Sequence, residues 1–284
     1  MAHAISRAVL VTGTSSGIGK ATALRLAAHG WRVYATARRS ADIADLAQSG
    51  CQTLALDVTD EASMVAAIAQ VEAAEGALGV LINNAGYSQS GAIATVPIDQ
   101  VRREFETNVF GLARLVQLVV PGMRRQHWGK IINLSSMGGR LTFPGGGYYH
   151  ASKYAVEALT DALRFEVGGF GIDAVLIEPG LIRSRFGETA ATSVAPATTD
   201  DDPYAAFNAS VAKISQETYQ SGPLARLGGT PEDVAATIER AITARRPRTR
   251  YLVTPSARVL LTLRTLLSDR QWDGFLRGQM TPPQ

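Results

Sequence analysis

Six short apolar runs alternate with longer amphipathic stretches, and this rhythm constrains the fold more than any other feature. AVLVTG (8–13), WRVYATA (31–37), TLALDV (53–58), GVLINNAG (79–86), KIINLSS (130–136) and DAVLIEPG (173–180) are rich in branched apolar residues and end in Gly, Asn, Ser, Asp or Pro. Such runs read as buried strands. Helical patterns lie between them at 18–29, 41–48, 61–75, 99–126 and 150–168. Strands that alternate with helices form βαβ units, so the expected fold is α/β: a doubly wound parallel sheet with helices on both faces. Ligands bind such sheets at the C-terminal ends of the strands.

After Pro179 the rhythm lapses. Residues 185–226 are rich in Ala, Thr, Ser and Asp with weak helical periodicity, and an insertion of that length suggests a substrate-binding lid. Thr230-Pro231-Glu232-Asp233 reads as a helix start, with a cap, a proline and an acidic first turn. In a C-terminal extension at 247–284, RYLVTP (250–255) reads as a last strand and VLLTLRTLL (259–267) as a packing helix too short to span a bilayer. No repeat or linker composition divides the chain, so residues 1–284 are expected to form one domain.

Hydrophobic residues at 46% and charged ones at 19% suit a soluble globular chain, and a net charge of +3 makes no case for nucleic acid. The densest basic run, Arg245, Arg246, Arg248 and Arg250, has no interleaved aromatics and reads as a solvated loop. Cys51 is the only cysteine, which leaves no intramolecular disulfide and no thiolate metal cluster. MAHAISRAVLVTG shows no signal-peptide pattern and no run reaches eighteen apolar residues, so a cytoplasmic protein without stable membrane insertion and without a metal is expected.

Between the first strand and the first helix, Gly13, Gly17 and Gly19 give Gly-x-x-x-Gly-x-Gly. Glycines there permit a tight turn, and the helix start offers unpaired N–H groups to a pyrophosphate. Gly13-Thr14-Ser15-Ser16-Gly17 also matches a hydrolase nucleophile elbow. That reading needs an acid and then a histidine further on, yet only His29, His127 and His150 follow and the last 130 residues hold none. NAD-binding folds place a carboxylate at the end of the second strand for the ribose 2′-OH. Here the strand runs into Arg38 and Arg39, whose guanidiniums match a phosphate. NADP is therefore expected rather than NAD, with Arg38 as the 2′-phosphate contact.

In GGGYYHASKYA (145–155), only Tyr149 stands four residues before Lys153, so these two share a helix face one turn apart. With these residues in order, the chain from 8 to about 245 resembles the short-chain dehydrogenase/reductase family. The motifs are Thr12-Gly-x-x-x-Gly-x-Gly19, Asp57, Asn83-Asn-Ala-Gly86, Asn108, Ser136, Tyr149-x-x-x-Lys153 and Pro179-Gly180.

The resemblance implies a Rossmann-like fold and an NADP-dependent oxidoreductase that moves hydride between NADP(H) and an alcohol or carbonyl. Tyr149 becomes the acid–base group and Lys153 the ammonium that favours its phenolate and holds the nicotinamide ribose. Ser136, rather than Ser135, stabilises the substrate oxygen, and Asn108 helps hold a proton-relay water. Cofactor contacts are implied at Gly13, Thr14, Ser15, Ser16, Gly17, Ile18 and Gly19, at Asp57 and Val58 for adenine, and at Asn84, Ala85 and Gly86. Pro179, Gly180, Ile182 and Ser184 resemble the run that meets the carboxamide, with serine in place of the usual threonine. Phe143, Tyr148, Leu181 and Phe186 join Ser136 and Tyr149 as expected lining for a lipophilic small-molecule alcohol or ketone. Family members assemble through the helices that correspond to 99–126 and 150–168, which implies a homodimer or homotetramer. The contrasting reading is a catalytically idle Rossmann protein that senses NADP(H) and binds a partner; the intact Ser–Tyr–Lys set argues against it.

Overall fold

A computed structural model describes residues 5–194, 202–220, 223–280 and 282–283. The first half runs β1 (Val9–Val11), α1 (Gly17–Ala28), β2 (Val33–Ala37), α2 (Ala44–Gln48), β3 (Gln52–Ala55), α3 (Glu61–Glu75) and β4 (Val80–Asn83). Next come α4 (Ile98–Phe105), α5 (Gly111–Arg125), β5 (Gly129–Leu134), α6 (Gly147–Gly168) and β6 (Ile172–Glu178). The remainder holds α7 (Phe186–Thr192), α8 (Ala205–Gln220), α9 (Pro231–Thr243), β7 (Arg250–Leu252), α10 (Pro255–Leu266) and α11 (Asp269–Arg277).

All seven strands are parallel, in the order β3-β2-β1-β4-β5-β6-β7. Strand alternation divides the core into two faces. Leu10, Leu81, Ile131 and Leu176 point to the side covered by Met64 and Val71 of α3, Leu115 and Val119 of α5 and Val156 of α6. Val9, Val11, Ile82, Ile132 and Val175 point the other way, onto Ala23 and Leu26 of α1 and Val234 and Ile238 of α9. A Leu or Ile buried this fully contributes about 1.5–3 kcal/mol over its exposed state. The sheet is therefore a rigid platform for what its C-terminal edge carries. Because β1 pairs with both β2 and β4, the chain reverses direction of travel there, and a crevice opens above that switch point.

Three features differ from the sequence expectation. The single helix at 99–126 is interrupted by a π turn at Glu106–Phe110, which carries Asn108; periodicity alone cannot show the one-residue insertion of such a bulge. The insertion at 185–226 contains two α-helices, α7 and α8, although its residues 195–201 and 221–222 lie outside the described part. The C-terminal extension gains a further helix, α11. Its Trp272 packs with Leu260, Leu261 and Leu181 into a satellite core.

Candidate active site

The loops after β1 and β4 are tied together by side chains whose identity the sequence dictates. Thr12 Oγ1 accepts hydrogen bonds from Asn84 N and Ala85 N, both at 3.0 Å. The Asn84 amide in turn donates to Thr12 O at 2.8 Å and Gly13 O at 3.0 Å. Gly13 sits at φ +70°, and a Cβ there would come 2.9 Å from Ala85 Cα. A Cβ on Gly19 would meet Gly13 O at 2.3 Å. The backbone thus approaches too closely for any side chain, and helix α1 begins immediately beyond it.

Ser16 caps α1 without a side-chain hydrogen bond, and no acidic residue stands in the first turn. The leading N–H groups and the positive helix end are left to face an anion. Above them lies a cleft of about 780 Å³.

Gly13, Ser15, Ser16, Gly17, Ile18, Arg38, Asp57, Val58, Asn84, Ala85, Gly86, Ser136, Tyr149, Lys153, Pro179, Gly180, Ile182, Ser184 and Phe186 all line this cleft. The structure therefore gathers these sequence-predicted residues around one space. Thr14 and Gly19 do not line it. Thr14 is fully buried with its hydroxyl on Thr36 O, and Gly19 serves the close packing just described. At the far end Arg39 is engaged by Asp42, with Nε and Nη2 at 3.1 and 2.9 Å from the carboxylate. Arg38 is exposed on the cleft wall and makes no ion pair among the described residues.

Phe143 packs on the rings of His150 and Trp272, Tyr148 donates to Ile93 O at 3.1 Å, and Leu181 belongs to the satellite core. None of the three lines the cleft. On α6 the helical rotation turns Tyr148 about 100° away from its neighbour Tyr149.

Tyr149 and Lys153 project from one face of α6. The Lys153 ammonium lies 5.8 Å from the centre of the Tyr149 ring and donates to Leu134 O at 2.8 Å. Phe186 covers the phenol ring at 5.3 Å between centroids. Ser136 Oγ accepts from Gly138 N at 3.0 Å, which leaves its own hydrogen to point elsewhere. Asn108 accepts from Tyr87 N at 3.1 Å and donates to Tyr87 O and Ser152 Oγ, so its amide braces the β4 loop against α6.

Lys153 is buried, and loss of hydration lowers its pKa to about 8, while Glu104 and Glu157 pull it back up. An amine in that state is a cation beside a phenol, which is what acid–base work near neutral pH requires.

The sequence reading missed the acids behind this pair. Burial raises Glu104 and Glu157 to about 7 each. Glu157 shares the Arg250 guanidinium with Glu178, Nε lying 3.1 Å from a carboxylate oxygen of each, and Arg140 reaches Glu178 at 3.2 Å. Glu157 could have been found, since it falls four residues after Lys153 on the same helix face. Cleft residues Tyr87, Arg103, Thr107 and Arg185 were also missed; they carry no motif.

A Rossmann-type sheet with a glycine turn at its switch point, and a tyrosine and a lysine across the cleft from it, defines a dinucleotide-dependent oxidoreductase. A short chain dehydrogenase family model matches residues 7–194. A 3-ketodihydrosphingosine reductase of Bacteroides thetaiotaomicron is 35% identical over 89% of this chain and 89% of its own. An NADPH-dependent 3-dehydrocapnine reductase of Ornithobacterium rhinotracheale is 34% identical over 94% and 95%. The crystal structure of a short-chain dehydrogenase from Streptomyces avermitilis superposes with a TM-score of 0.79 at 34% identity, covering 96% of this chain and 98% of that one. The chain belongs to the short-chain dehydrogenase/reductase family, oxidoreductases that act with NAD(P) on small molecules. Among the described residues no helix is long and apolar enough to cross a membrane.

Proposed function

We propose that this protein reduces a lipophilic ketone to an alcohol at the expense of NADPH. The observation that carries the proposal is the buried ammonium of Lys153 under the Tyr149 ring at the wall of the glycine-loop cleft. Bound in that cleft, NADPH would supply the hydride. Tyr149 then gives its phenolic proton to the carbonyl oxygen as charge develops there, and Ser136 donates a hydrogen bond to the same oxygen. Lys153 stabilises the phenolate left behind. Arg38, which makes no ion pair among the described residues and stands beside an Arg39 already committed to Asp42, supports a 2′-phosphate contact and hence NADP over NAD.

The lipophilic substrate is supported by two relatives named for reducing 3-ketodihydrosphingosine and 3-dehydrocapnine. The insertion 185–226 serves as the lid, with α7 carrying Phe186 onto the tyrosine. Exposed Phe110, Tyr154, Leu159 and Phe165 on the α5–α6 side of the molecule support a homo-oligomer, to be read by sedimentation.

The test is NADPH oxidation with a series of 3-keto substrates of increasing alkyl length. The reading requires kcat/KM to rise with chain length and to be higher with NADPH than with NADH. Equal rates for polar and alkyl ketones would remove the lipophilic assignment.

A further inference from the structure

Glu104 is wholly buried on α4, four residues before Asn108. Its Oε1 accepts from Gln89 N at 2.9 Å, while Oε2 has no hydrogen-bond partner among the described residues. Asn108 holds Tyr87 of the same loop, and a Cβ on Gly86 would lie 2.9 Å from Asn108 Oδ1 and 3.6 Å from Lys153 Nζ. Glu104, Asn108 and Lys153 therefore all stand beneath one four-residue stretch, Gly86 to Gln89. A neutral glutamine would satisfy the Gln89 N–H equally well. A buried carboxylate is costly unless a cation answers it. Among the described residues Glu104 makes no ion pair with any arginine, unlike Glu157, which is neutralised by Arg250.

We propose that Glu104 is a positioning residue for the reaction, a walled-in carboxylate whose task is to keep Lys153 a cation where no water can do so. The inference rests on the reading of Lys153 as the charge beside the acid–base tyrosine, but its test needs no turnover. Burial weakens the hold of Lys153 on its proton. Two acids oppose that loss, Glu104 from α4 and Glu157 from α6 itself. Tyr149 faces Lys153 from its own helix and Tyr87 faces Glu104 from the β4 loop, with Arg103 acting on Tyr87. Glu178, Arg140 and Arg250 face Glu157 instead. With Glu157 shared among these, Glu104 is the acid that serves no other cation among the described residues.

The chain has four lysines, Lys20, Lys130, Lys153 and Lys213, so Lys153 can be followed by NMR of protein carrying ¹³Cε-lysine, assigned with Lys153→Met. In the protein without dinucleotide, Glu104→Gln should lower the Lys153 titration midpoint by about one unit or more, a tenfold or greater loss of proton affinity. The Lys130 signal should not move. In ketone reduction, the alkaline limb of kcat/KM should shift to lower pH, because the lysine cation that stabilises the phenolate formed on proton transfer is lost earlier. An unchanged Lys153 midpoint in Glu104→Gln would overturn the proposal even if activity fell, since a merely structural glutamate would not move that signal. If Glu104→Gln does not fold, the wild-type titration decides. Two coupled steps, one shared with a ¹³C-labelled glutamate carboxyl, support the proposal; a single step near about 10.4, the ordinary lysine value, contradicts it. Loss of activity in wild type with a normal Glu104–Lys153 coupling would instead count against the ketone-reductase reading alone.

Discussion

Two lysines of this chain are buried to nearly the same degree, Lys130 and Lys153, and they are held in opposite ways. Lys130 on β5 reaches the rim of the sheet, where it meets Asp173 at 2.5 Å and Ala244 O at 3.0 Å. Its partner carboxylate is 43% exposed, so water shares the work of stabilising the pair. Lys153 on α6 makes no ion pair among the described residues; its near neighbours are a carbonyl and an aromatic ring, and its acids stand off. A direct partner pins a proton in place. Acids held at a distance keep the amine charged yet leave its proton near the point of exchange. The first arrangement makes a strut and the second a working group.

Activity should separate the two most widely. Lys153→Met is expected to lower kcat for ketone reduction by about 100-fold or more, whereas Lys130→Met should stay within about threefold. Steady-state kinetics at saturating NADPH would check both. Comparable losses in the two variants would erase the distinction.

Stability should then differ in sign. Lys153 has a depressed pKa in the fold, so its burial costs stability wherever it is charged. At pH 6, where Glu104 and Glu157 retain their protons, Lys153→Met should stabilise the protein by roughly 1–3 kcal/mol in urea titrations. That gain should shrink as pH rises from about 8 towards the ordinary lysine range, because the wild-type amine is then neutral in both states. Lys130→Met should destabilise by about 1–2 kcal/mol through its lost hydrogen bonds.

The same contrast between a committed and an uncommitted cation recurs at the cofactor end. Arg38→Ala should weaken NADPH binding by about 10–100-fold and leave NADH nearly untouched, while Arg39→Ala should change either by no more than about threefold. Fluorescence titration of the reduced dinucleotides reads all four constants. The smallest effect is expected at Ser184, whose hydroxyl accepts from Phe186 N at 3.3 Å. Ser184→Thr keeps that hydroxyl and should alter KM for NADPH by less than about twofold.

What could be read from the sequence followed from how local each signal is. Gly13, Gly17 and Gly19 act within one turn, and the strands carry their own apolar runs, so the sheet and the cofactor edge were legible. Tyr149 and Lys153 were legible because four residues are one helical turn. Glu104 was not, since no motif around it marks it out. Only the tertiary packing of α4 under Gln89 buries it. Whether Tyr148 and Leu181 reach the cleft was not legible, because the directions of α6 and of the satellite core decide where they point. Helix α11 went unread although Trp272, Phe275 and Leu276 fall at i, i+3 and i+4 on one helix face, because three apolar residues in so short a run find their partners only once α10 is in place.

The central claim is that a phenol does the proton transfer, and one comparison tests it most directly: NADPH consumption with a 3-keto substrate by wild type and by Tyr149→Phe, each confirmed folded by its unfolding transition. The account predicts a loss of about 100-fold or more with NADPH binding retained. Undiminished turnover by the phenylalanine variant would contradict it.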